Sequence, residues 1–183
     1  MKIHIIGCSG SGKTYFAKKL SDKYAIPHFD LDNIQWDNTA EGYGVKMPAD
    51  QRTALLEKIL RNESWIIEGV YYSWVSDCFR DADLIFLLQT PKPIYTMRIV
   101  KRFIMRKLGL EKGKKETLKS VYQLLKWTDT WQKQNLPEIL KVLAQYGHKT
   151  VVLRSKKEVN RIIATGLQRK SISWDSPRNA PQD

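Results

Sequence analysis

Apolar residues fall in short continuous runs, separated by stretches where they recur every three or four positions. The runs 2–6, 26–30, 65–69, 84–88 and 150–153 are strand-length, and turn formers or acids bound most of them. Each reads as a strand. The run 84–88, Leu-Ile-Phe-Leu-Leu, has no polar position, as a strand covered on both faces requires. Between the runs the period changes to that of helices. These are predicted over 13–24, 48–60, 93 to about 108 and 116 to about 133, then from Pro137 onward and over 157–167. Residues 33–47, with Gly42 and Gly44, read as an irregular loop, and 109–115 as a Gly/Lys-rich loop. Residues 169–183 read as a mobile tail.

Strands alternating with helices predict an α/β fold: a five-stranded parallel sheet with helices on both faces, in one domain over 1–168. Ligands of such sheets gather at the carboxyl ends of the strands. The residues that follow the strands are therefore the first candidates for chemistry. After the first strand stands Gly7-Cys8-Ser9-Gly10-Ser11-Gly12-Lys13-Thr14, which fits the phosphate-loop pattern G-x-x-x-x-G-K-[ST] at every defined position. Its glycines let successive N–H groups point inward at an anion, and the helix that follows adds its positive end. Gly7, Ser9, Gly10, Ser11, Gly12, Lys13 and Thr14 are thus expected to bind a nucleoside triphosphate. Lys13 reaches the β- and γ-phosphates, and the Thr14 hydroxyl ligates Mg²⁺. Cys8, inside this loop and near a helix N-terminus, is expected to be a sensitive thiolate.

Asp30 and Asp32 end the second strand on the same side of an extended segment. One could hold Mg²⁺ through water and the other accept a proton from an attacking hydroxyl; the plainer reading is a turn with exposed acids. Asp32 is the expected metal and catalytic carboxylate, and Asp30 an acceptor-side candidate. Glu68, after the third strand, could orient the acceptor, complete the outer shell of the metal, or simply face water. Six tryptophans are scattered; Trp127 and Trp131, at helical spacing, read as core. His4, His28 and His148 have no metal-ligand spacing and receive no catalytic role.

Charge sharpens the picture. Lys plus Arg is 31 and Asp plus Glu 19, a net charge of +12, which favours polyanionic partners. From Lys92 to Lys126 there are eleven basic residues and only two acids, Glu111 and Glu116. Arg98, Arg102 and Arg106 recur every four residues and form one stripe. Arginine suits the bidentate neutralisation of a transferring phosphoryl group, so 98–119 reads as a helical lid over the triphosphate, and the plainer alternative is a solvated face. No stretch is long and apolar enough to span a bilayer, and no signal peptide or disulfide framework is evident. A cytoplasmic setting without a membrane partner is expected.

Residues 1 to about 167 resemble the small bacterial P-loop kinases related to adenylate and shikimate kinase. The chain is most similar to the group labelled "DNA topology modulation protein". Carrying the resemblance are Gly7–Thr14, His28-Phe29-Asp30-Leu31-Asp32 with Trp36, and Trp65-Ile66-Ile67-Glu68-Gly69-Val70-Tyr71. Ala82 to Leu87, Arg98 to Arg102, and Val151 to Ser155 add to it. It implies a P-loop NTPase fold, ATP with Mg²⁺, Asp32 as the family aspartate and Arg154 near the adenine. The chain departs from the family in carrying Glu68 where an aspartate is usual, Val70 where an asparagine is usual, and lysines in an otherwise arginine-rich lid. The expected function is ATP-dependent phosphoryl transfer to a small acceptor, a nucleotide or nucleoside. The alternative is an ATP-binding, nucleic-acid-associated protein with weak ATPase activity, using the basic face non-specifically.

Overall fold

The computed structural model describes residues 1–37, 44–110 and 117–167. The tail from 169 and the centres of the two predicted loops, 38–43 and 111–116, lie outside the described residues. Five strands, β1 (Lys2–Gly7), β2 (His28–Asp30), β3 (Trp65–Gly69), β4 (Leu84–Leu88) and β5 (Thr150–Leu153), form one parallel sheet in the order β2-β3-β1-β4-β5. All five carboxyl ends therefore lie along one edge. β1 is central, and the chain crosses from one side of it to the other between β3 and β4, which opens the crevice where such sheets bind ligands.

Strand alternation divides the core. Ile3 and Ile5 of β1, Ile66 of β3 and Phe86 of β4 face α1 (Lys13–Tyr24) and α8 (Lys156–Thr165), meeting Phe16, Leu20, Val159 and Ile162. On the opposite face Ile6, Ile67, Ile85 and Leu87 pack under α3 (Ala49–Leu60), α4 (Ser76–Asp81) and α7 (Leu136–Ala144). A third, smaller cluster joins α5 (Lys92–Lys107) to α6 (Leu118–Thr130) through Tyr95, Ile99, Phe103 and Val121.

Three local expectations need correction. The segment after β2 is not wholly irregular. Asp32–Gln35 forms a short helix, α2, and Met47 N donates to Gln35 O, which closes the loop back on that helix. The helix α4 was not foreseen, because six residues are too few to show a period. Pro137 does not begin a separate helix. α6 runs into α7 through a π-helical turn, Trp131–Asn135. Pro137 has no N–H for the carbonyl four residues back and its ring crowds that carbonyl, so the helix widens by one residue there. The turn seats Trp131 in the core, while its expected companion Trp127 is partly exposed.

His4 occupies β1 on the face of Ile6, edge-on to Phe79, with no solvent contact and no hydrogen-bond partner at either ring nitrogen. Burial pushes its pKa from 6.5 down to about 3, and the Glu68 charge offsets this only in part. Below pH 6.5 the unfolded chain takes up a proton that the folded chain refuses. Stability therefore falls as pH drops from 6.5 toward about 3. His4→Leu should flatten that slope. In urea unfolding, wild type should lose about 2 kcal/mol of stability relative to the variant between pH 6.5 and 5. Parallel pH profiles would contradict the burial argument.

Candidate active site

The loop between β1 and α1 is shaped as its sequence requires. Gly10 (φ +76°) and Gly12 (φ +103°) take left-handed conformations, and a Cβ on Gly10 would lie 2.9 Å from the Tyr95 carbonyl oxygen. Lys13 is 8% exposed, and its Nζ donates to the Cys8 carbonyl across the loop at 3.0 Å. From behind, Arg98 Nη1 on α5 donates to the carbonyls of Gly10 (3.2 Å) and Ser11 (2.8 Å), and Thr90 Oγ1 donates to Ser11 O at 3.1 Å. These bonds hold the loop against α5, and within it Ser11 N donates to Cys8 O at 3.2 Å. Arg98, expected to touch phosphate, here braces the loop. Arg102 and Arg106 follow on α5, half-buried.

Cys8 corrects an expectation. It is 2% exposed, and burial pushes its thiol up to about 11 despite the Lys13 charge beside it. Desolvation outweighs the helix end, and the thiol is not a sensitive one.

Glu68 does not face water. It is 1% exposed, stands opposite Asp30 in the β2–β3 register, and lies 3.4 Å (Oε1) from His28 Nε2. Burial alone would raise its carboxyl, but His28 and Lys13, with Thr14 nearby, together hold it below the ordinary range. Asp32 points elsewhere: its Oδ1 accepts from the Tyr71 hydroxyl at 2.6 Å, and Tyr71 in turn contacts Trp74, with ring centroids 5.3 Å apart. Asp30 Oδ1 accepts from Asp32 N at 2.9 Å and so orders the turn between them. Burial first, and the Glu68 charge second, push the Asp30 carboxyl up to about 6.

Sequence reasoning missed the group next to Asp32. Arg52 of α3 stacks its guanidinium on Trp74, 4.5 Å from the ring centroid, and its Nη1 donates to Gln35 Oε1 at 3.1 Å. Gln35 lies one turn beyond Asp32 on α2. Asp32, Tyr71, Trp74, Arg52 and Gln35 thus close a ring of contacts beyond the strand ends. No periodicity marks it, because its members come from three separated segments. His28, given no role, is the partner of Glu68.

On the other side of the loop a cleft of about 230 Å³ is lined by Ser11, Gly12, Tyr15, Thr90, Arg98, Ser155, Lys156 and Val159. The chain after β5 takes part through Ser155, whose Oγ accepts from Glu158 N to cap α8. Arg154 is exposed and is not among the lining residues.

Comparison with known proteins agrees with the fold. A gluconokinase from Sinorhizobium meliloti 1021 superposes with a TM-score of 0.52 over 89% of this chain and 87% of its own, at 17% identity. The uncharacterized protein YqaC of Bacillus subtilis (strain 168) is 33% identical over 105 residues, which are 57% of each chain. The match thus spans little more than half the length of that relative. No family model matches. The parallel sheet, its loop and this neighbour identify a P-loop NTPase α/β fold.

The raised Asp30 carboxyl has a measurable consequence. A folded-state pKa above the unfolded value favours the protonated form, so the folded protein loses stability as pH rises through about 6. Asp30→Asn keeps an acceptor for Asp32 N and removes that loss. The variant should melt higher than wild type at pH 8 and equally at pH 4. An equal or lower melting temperature at pH 8 would show that the carboxylate is not under strain.

Proposed function

We propose that this chain is an ATP-dependent phosphotransferase whose acceptor offers a hydroxyl group. The observation that carries the reading is the meeting, at one sheet edge, of an anion cradle containing Lys13 with a carboxylate, Asp32, held by Tyr71. The gluconokinase-like fold supports ATP-dependent kinase chemistry. Asp30, Asp32 and Glu68 supply the acceptor side. Three carboxylates would repel a phosphate acceptor, whereas a neutral hydroxyl can donate to one of them. Of the two acceptors expected from sequence, the site therefore favours a nucleoside-like or other hydroxylated molecule over the phosphate of a nucleotide.

The residues also fit Mg²⁺. Among the described residues no group of three or more His, Cys, Asp or Glu could hold a metal alone. An ion here would therefore share phosphate oxygens with the Thr14 hydroxyl, as Mg²⁺ sites commonly do. Glu68, whose carboxyl is influenced by Lys13 and Thr14, would be its outer carboxylate, which leaves Asp32, held by Tyr71, to the acceptor. Bound Mg²⁺ would neutralise the β- and γ-phosphate charge.

In the step itself the acceptor oxygen attacks the γ-phosphorus while its proton passes to Asp32. The bridging bond to the β-phosphate breaks, and ADP leaves. Lys13 compensates the charge on the transferring group. Arg102 and Arg106, and Arg98 once freed from the loop carbonyls, would close from a lid over about 98–119. Tyr15, Ser155 and Lys156 would border the base, with Arg154 beyond them. Arg52, held flat on Trp74, would read an anionic group at the far end of the acceptor.

The likeness to the DNA topology modulation group, a cytoplasmic setting and ATP as the donor belong to the same proposal. The nucleic-acid-associated alternative draws support from α5, which carries six cations and no acid.

ADP release should be stimulated by one class within a panel of nucleosides, nucleotides and small hydroxylated acids. Asp32→Asn should then lower kcat by roughly 10²–10⁴ with little change in the KM for ATP. Arg52→Met should raise the acceptor KM by roughly tenfold or more and leave the ATP KM unchanged. ADP release that no acceptor stimulates, or transfer only onto nucleotide phosphates, would contradict the proposal.

A further inference from the structure

The helix α5 has three faces. Tyr95, Ile99 and Phe103 pack on Val121, Leu124 and Leu125 of α6. Arg98 braces the phosphate loop. The third face exposes Ile94, Met97, Val100 and Ile104, continued by Leu108 just past the helix end. At about 100° per residue these five lie within an arc of about 120°, and they extend over about 21 Å. Met97 is 62% and Leu108 66% exposed. A surface helix ordinarily turns its polar side outward. Here the polar members of the outward arc are Lys101 inside it and Lys107 on its border, both exposed, and the helix has no acid. An exposed apolar stripe of this extent marks a surface that something covers.

Charge and shape select the occupant. Isologous pairing with a second copy would set Lys101 and Lys107 against their own images, with no acid on the helix to answer them. The stripe is a convex ridge of aliphatic and thioether side chains, without the aromatic anchors or pockets that dominate protein interfaces. Aliphatic side chains flanked by lysines on a helix lying along a surface suit the headgroup region of an anionic bilayer. The apolar groups enter the acyl boundary while the lysines reach back to phosphate. We infer that the outward face of α5, Ile94 to Leu108, docks the protein peripherally on anionic phospholipid. No helix of the described residues is long and apolar enough to cross a membrane, so the contact is interfacial. Arg98, which braces the phosphate loop, lies outside this arc, about 40° beyond Ile94 at its edge.

Co-sedimentation of the full chain tests this, with vesicles of phosphatidylcholine alone and of phosphatidylcholine with about 30% phosphatidylglycerol. Wild type should bind the anionic vesicles at least about tenfold more tightly. The double variant Met97→Gln/Ile104→Gln, and independently Leu108→Gln, should lose that binding by about tenfold without a change in melting temperature. Lys101→Gln/Lys107→Gln should bring anionic vesicles toward the level of neutral ones. Absence of vesicle binding would overturn the inference. So would binding that the glutamine variants keep, which is bare charge adsorption. A wild-type dimer dissolved by Met97→Gln/Ile104→Gln would assign the face to a second copy and overturn it equally.

Discussion

Lys13 is a nearly buried ammonium whose hydrogen bond among the described residues goes to a neutral carbonyl. Asp30 and Glu68 act on it only through space. An anion entering the loop would meet this cation directly. The surrounding fold serves this arrangement. A central parallel strand delivers the chain to the sheet edge, and left-handed glycines turn it. α5 then pins the loop from behind through Arg98.

The same edge separates two kinds of carboxylate. Glu68 is buried and stabilised as an anion chiefly by His28 and Lys13, while Asp30 next to it is pushed toward protonation. Groups driven apart in this way are a mark of functional sites. Asp32 lies outside that pair, oriented by Tyr71 and linked through Trp74 and Gln35 to Arg52. On the proposed function the triphosphate side would be cationic, and the acceptor side acidic near the point of transfer and basic farther out.

What was legible in the sequence was local. The phosphate loop is a contiguous pattern, and buried parallel strands appear as apolar runs, so the loop, all five strands and the sheet class could be read directly. The acid positions after the strands were legible too, since each strand ends at the same edge. Their roles were not. Glu68 could not be separated from a water-facing acid until His28 and Thr14 were brought to it across three elements. The Tyr71–Asp32 bond spans 39 residues of chain, and Arg52 meets Trp74 from a different element. Cys8 was misread because a local rule about helix ends ignored burial. The π turn at Trp131–Asn135 was misread because Pro137 looked like a start and was instead absorbed.

The central claim is that the loop closed by Lys13 is a triphosphate site. Calorimetric titration of wild type and Lys13→Ala with Mg-ATP tests it most directly, with far-UV circular dichroism to verify the fold of each. The account requires saturable binding by wild type that is lost, or weakened by roughly a hundredfold, in a variant that remains folded. Equal affinity in both proteins, or no binding by either, would contradict it.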